Sequence, residues 1–305
     1  MDKQQEEQIH SLGVFAIFRV SFLIIFSWTN LFTQITLSTI FPLSLLSLMH
    51  LKISDHFSQQ NYTAFWLFQT VYFIFFLVLS MLSTAVVVYT VACIYTRKEV
   101  TCFQVMSVVP KIWKRLTVTF AWSFIVVFVY NMTSFFVLIP WVGSIGPGVG
   151  GVAILGPLLI IYMMGFVYIS IIWHLASVVS VLEEVCGVEA MIKSRGLVKG
   201  KMVISFAIFL LLNLCFVLIQ VGFHRFVVVG KSFWSRIGCG VLCFLFLYEF
   251  TLLGLVVQTM IYFGCKLYHN EIIDRSYLEN HIENVYLGDY APLRPDDYRS
   301  KQFYM

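Results

Sequence analysis

Over most of this chain the hydrophobic positions neither alternate nor recur in stripes; they run on. Asp, Glu, Lys and Arg are absent from residues 20–51, 56–96, 116–182 and 202–224, and 237–265 holds one acid, Glu249. A helix rising about 1.5 Å per residue needs about 20 apolar residues to cross hydrocarbon about 30 Å thick. Every one of these stretches reaches that length.

The stretch 116–182 is too long for one crossing: as a straight helix it would extend about 100 Å. The run from Pro140 to Gly151 is dense in Gly and Pro and predicts a reversal there. The stretch 56–96 has neither residue and predicts a single long helix. The pattern thus predicts an all-α, polytopic membrane protein: a six-helix bundle with spans at about 20–49, 64–95, 117–140, 148–181, 202–223 and 237–263. Residues 1–265 form the membrane domain and 266–305 a C-terminal tail.

Composition agrees. The chain is 59% hydrophobic and 12% charged, against about 25% charged in soluble domains. That is too little charge to cover a water-facing surface, so the implied environment is a lipid bilayer. Clustered basic residues of a nucleic-acid surface are absent, and no nucleic-acid partner is expected. The seven cysteines form no Cys-x-x-Cys pair and read as small apolar side chains with free thiols.

Charge distribution sets the expected orientation. With six spans, sixteen Lys and Arg fall on the side of the termini and four (Lys52, Arg225, Lys231, Arg236) on the other. The positive-inside rule then places both termini in the cytoplasm, in an unspecified membrane.

Shorter patterns add detail. Segments 15–21, 101–107 and 188–194 each end in Ser shortly before a span, suggesting three units of a short amphipathic cytoplasmic-face helix followed by a helical hairpin. In the second, Val100, Phe103, Met106, Val109, Trp113 and Leu116 share a face, and Pro110 is expected to bend the chain into the third span. In the tail, Ser276 and Glu279 fit a capping box that starts a short helix ending at Gly288.

Candidate chemistry is sparse. Glu249 lies near the middle of the last span, where a carboxylate is costly and is expected to face the bundle interior with a partner. Asn131 and Asn213 fall at similar depths in the third and fifth spans, and His174 lies nearer the cytoplasmic end of the fourth. Together these four make a candidate intramembrane polar site; the competing reading is interhelical hydrogen bonding. Glu183, Glu184 and Glu189 read as a solvated face. No nucleophile elbow, zinc-protease or phosphate-loop motif occurs, so no catalytic residue, cofactor or metal is assigned.

The stretch Trp173–Glu184, continuing through Gly187, Glu189-Ala190-Met191, Lys193-Ser194 and Leu197–Lys201, resembles a family of uncharacterised plant multi-spanning membrane proteins. So does the tail, through Cys265-Lys266, Ile273-Asp274 and Tyr286–Leu293. More distantly, the Glu-x-x-Gly and Lys-Ser…Lys-Gly pattern is similar to bacterial six-helix membrane domains, including those fused to glycerophosphodiester phosphodiesterases. The resemblance implies the architecture and no activity; a phosphodiesterase barrel needs about 250 residues that this chain does not contain. The expected function is that of a non-enzymatic membrane scaffold or accessory protein. The alternative is a transporter or channel with a midplane polar site around Glu249.

Overall fold

The computed structural model describes residues 13–58, 62–96, 101–145, 149–230 and 233–269. Those residues form an all-α bundle with no strand among them: α1 (Val14–Ser27), α2 (Thr29–Ser58), α3 (Tyr62–Tyr95), α4 (Cys102–Ile145), α5 (Val149–Leu182), α6 (Val188–Val198), α7 (Met202–Phe223, continued by a π-turn at His224–Val228) and α8 (Phe233–Tyr268). Six of them, α2, α3, α4, α5, α7 and α8, are long and apolar enough to cross a membrane. In hydrocarbon every backbone N–H and C=O must bond within its own segment, and these helices do that without edges.

Two boundaries differ from the hydrophobic pattern. The apolar run that starts at Val20 is not one helix. Trp28 leaves helical geometry at φ −119° and ψ 37°, so α1 ends there and the first membrane-length helix begins at Thr29. The segment before the third span is not a separate surface helix: α4 runs on through Pro110. Val105, Val108, Val109, Ile112 and Leu116 of its first turns are buried in the core, and that burial outweighs the one backbone hydrogen bond a proline removes. Of the three short amphipathic helices expected, α1 and α6 stand as separate elements.

The larger of two buried clusters sits toward one end of the bundle; a small second one, of Leu48, Phe223, Val227 and Leu247, lies apart from it. Among the described side chains, those fully buried in α3 lie at or beyond Met81, and in α5 at or beyond Val167. The described side chains of the opposite halves of α4 and α5 include none that is fully buried, and these halves hold chiefly one another. Tyr130 and Tyr162 stack at 5.6 Å, and the Tyr130 hydroxyl donates to the Tyr162 carbonyl at 2.8 Å. Gly165 makes room for this, since a Cβ there would run into the Tyr130 hydroxyl. The reversal between α4 and α5 and the tail helix expected from Ser276 both fall outside the described residues.

The packed end is closed by α6. Gly187 precedes it at φ +65°, a backbone conformation natural to glycine. The Gly187 N–H donates to Thr119 Oγ1 at 2.9 Å, and the Ser194 hydroxyl donates to the Ile172 carbonyl at 3.1 Å.

Candidate functional site

Inside the bundle, away from the α4–α5 hairpin tip, lies a cavity of about 330 Å³. Serine and threonine hydroxyls from four helices line it: Ser44 and Ser47 on α2, Ser80, Ser83 and Thr84 on α3, Ser177 on α5 and Thr251 on α8, with Asn213 of α7 also present. Between them stand Phe76, Phe120, Trp173, Phe209, Phe216 and Phe250. His174 is the one titratable side chain of the lining. Its ring stacks on Phe209 at 5.3 Å and lies beside the Gln258 carboxamide.

Three of these hydroxyls are spent on the backbone. Thr84 donates to the Ser80 carbonyl, Ser177 to His174 and Thr251 to Leu247, each within one helical turn. Three polar atoms are not: Ser44 Oγ, Ser83 Oγ and Gln258 Nε2 have no hydrogen-bond partner. Their residues are 1%, 1% and 2% exposed, and all three line this cavity. A buried polar group without a partner costs about 1–3 kcal/mol, so three around one space mark it as a place where hydrogen bonds are to be made.

One face of α8 links the cavity to the packed end. Gln258, Tyr262 and Lys266 follow at four-residue spacing and share a side of the helix. Tyr262 donates to Glu183 Oε1 at 2.6 Å and Lys266 reaches the same oxygen at 2.9 Å. From α6, Lys193 pairs with Glu183 Oε2 at 2.7 Å. Glu183 is 5% exposed. Burial alone would raise its pKa, but the hydrogen bonds from Lys193, Tyr262 and Lys266 together hold the carboxyl below the usual range. Glu183 is therefore not part of a solvated face: it ties α5, α6 and α8 together where the cavity ends.

The four candidate residues separate. His174 and Asn213 line the cavity; Asn213 Nδ2 donates to the Phe209 carbonyl at 2.8 Å. Asn131 does not line it. Its side chain donates to the Val127 carbonyl at 2.7 Å and accepts from the Tyr162 hydroxyl at 2.7 Å, within the α4–α5 hairpin. Glu249 points outward: it is exposed, one turn beyond the exposed Leu245 and Phe246 on the same side of the helix. The expectation that it faces inward is corrected, because α8 turns Leu247, Thr251 and Gln258 to the interior and leaves position 249 on the far side.

Sequence reasoning missed Ser44, Ser83 and Gln258. Single serines in apolar spans give no signal, since they bond their own helix as readily as a neighbour. Gln258 does give one: a long amide in an apolar helix, in phase with Tyr262 and Lys266. Among the described residues no group of three His, Cys, Asp or Glu side chains is placed to hold a metal.

A family model described as a domain of unknown function (DUF8558) matches residues 1–62 and 57–303. No curated protein and no solved structure matches the chain. Neither a plant origin nor a kinship with glycerophosphodiester phosphodiesterases emerges from these comparisons.

Proposed function

Because the chain belongs to the DUF8558 family, whose description assigns no activity, we propose from the geometry alone that it is a non-enzymatic, accessory multi-pass membrane protein that binds an uncharged ligand inside its bundle. The three partnerless buried groups Ser44 Oγ, Ser83 Oγ and Gln258 Nε2 around one cavity carry this reading. The lining offers hydroxyls, amides and one imidazole but no carboxylate, lysine or arginine. A buried ion without a counter-charge is costly, so a neutral molecule fits and an ion does not. The volume of about 330 Å³ lies at the lower end of the range of small-molecule sites.

A scaffold with a solid interior would have no use for three buried unpaired groups, and transport coupled to Glu249 loses its residue, which stands outside the cavity. Orientation with both termini in the cytoplasm belongs to the same reading and rests on the lysine and arginine asymmetry.

The test is native mass spectrometry of protein extracted in its own lipids. Wild type is expected to retain a neutral molecule that the Ser83→Val/Gln258→Leu variant has lost, both proteins remaining folded. Wild type releasing no bound molecule, together with a rise in thermal stability of the double variant, would sink the proposal.

A further inference from the structure

We infer that the ligand is a neutral lipid carrying hydroxyl and carbonyl groups, of the diacylglycerol or ceramide class, which reaches the cavity sideways from the bilayer between α3 and α7. The inference rests on the reading of the cavity just given.

Route comes first. The end of the cavity nearest α6 is shut by the Glu183, Lys193, Tyr262 and Lys266 cluster, whose three bonds measure 2.6, 2.7 and 2.9 Å. The side is not shut. Helix α7 packs along α8 and against α5 but not along α3, although Phe76 and Ser80 of α3 and Asn213 and Phe216 of α7 line the same space. Phe216 is 39% exposed, so the lining continues to the outer surface. At the far end of this window Gln220 of α7 bonds Ser47 of α2 at 3.1 Å, which limits its length. All the bounding helices are membrane spans. What such a window meets is lipid.

Chemistry comes second. Gln258 Nε2 can only donate, so its partner is an acceptor; a serine hydroxyl donates or accepts. The three groups stand on three helices, α2, α3 and α8, around one space. A hydroxyl gathers its one donor and two acceptor sites at a single point, so a ligand with several polar atoms spaced along it suits them better. An ester or amide carbonyl next to free hydroxyls serves all of them, with no net charge. About 330 Å³ admits such a head and the first carbons of its chains, and the remainder lies out through the window against the exposed faces of α3 and α7.

The experiment places the full chain in phosphatidylcholine nanodiscs with a diazirine-bearing diacylglycerol, and in parallel with a diazirine-bearing phosphatidic acid. The expected result is photolabelling by diacylglycerol within residues 76–84 and 209–216, displaced by unlabelled diacylglycerol and reduced at least fivefold in Ser83→Ala/Gln258→Leu. Phe216→Trp, which narrows the window without touching the polar groups, is expected to slow labelling while circular dichroism and elution remain those of wild type. Equal labelling by phosphatidic acid overturns the neutral class. Labelling confined to outward residues such as 124–137 overturns the site. If native mass spectrometry finds a bound water-soluble neutral compound while the diacylglycerol probe leaves 76–84 and 209–216 unmarked, the lipid inference fails and the ligand-binding reading stands. If nothing is bound and nothing is labelled, both fail.

Discussion

Glu183 shows how much a single side chain does when three helices converge on it. Lys193, Tyr262 and Lys266 reach its two oxygens from α6 and α8, and the Arg115 guanidinium of α4 approaches its carbonyl at 3.4 Å. Breaking a fully buried pair costs about 3–5 kcal/mol. Here the Lys193 side chain is 38% exposed, so water screens part of the interaction and about 1–3 kcal/mol is expected for Glu183→Gln. The pH dependence follows from the lowered pKa. The carboxylate's contribution is full above its unfolded value of about 4.3 and is lost as pH falls through the lower folded value. Wild-type Tm is therefore expected to fall on acidification below about pH 4, while Glu183→Gln, already lower at neutral pH, stays level through that window. Differential scanning fluorimetry in detergent measures both. A wild-type Tm as level as the variant's would remove this role. Glu183 sits between Leu182 and Glu184 in a run that looks merely charged, which is why its burial was not legible from its neighbours.

At the scale of elements, α6 is short and weakly apolar, with eleven residues of which four are buried. An isolated helix of this length is marginal in water, so its place is held by contacts at its ends. Gly187 makes the turn into it at φ +65°, and a Cβ there would meet both Val118 and Trp122 at 3.2 Å. Gly187→Ala is expected to cost about 1–3 kcal/mol from backbone strain alone, and to loosen α6 before the spans. Hydrogen exchange should report this as faster exchange confined to residues 188–198; uniform protection in the variant would contradict it. Element type was readable throughout from uncharged length. Element ends were less so: the break at Trp28 and the continuity of α4 through Pro110 depend on what each side chain packs against.

The whole molecule divides into a packed end and an open end. Buried side chains concentrate where α1 and α6 join the six long helices, while the opposite half of the α4–α5 hairpin stands with its outer faces uncovered. In a bilayer those faces, including Phe128, Phe135, Phe136, Ile160 and Ile161, meet acyl chains. In the orientation proposed above, both ends of the chain share one side, and the sixteen lysines and arginines against four make that side the cytoplasm. Fluorescent tags at residues 1 and 305 are expected to be quenched together by an impermeant quencher, and only from the cytoplasmic face. Quenching from opposite faces would require an odd number of spans.

What the residue order determined by itself was solvent, helix type and span number, because uncharged length and Gly-Pro punctuation are local and add along the chain. What only the tertiary structure decided was direction. On a helix apolar all the way round nothing in the order marks an inner face, and neighbouring helices choose it. Gln258 and Glu249 lie nine positions apart on α8, and packing against α2, α3 and α5 turned the amide toward the cavity and the carboxylate away. The same packing buried Glu183 beneath two lysines and left Ser44 and Ser83 facing a shared space without partners. A polar side chain carries its chemistry in the sequence, but whether that chemistry is offered to lipid, to a neighbouring helix or to a ligand depends on the surfaces brought against it.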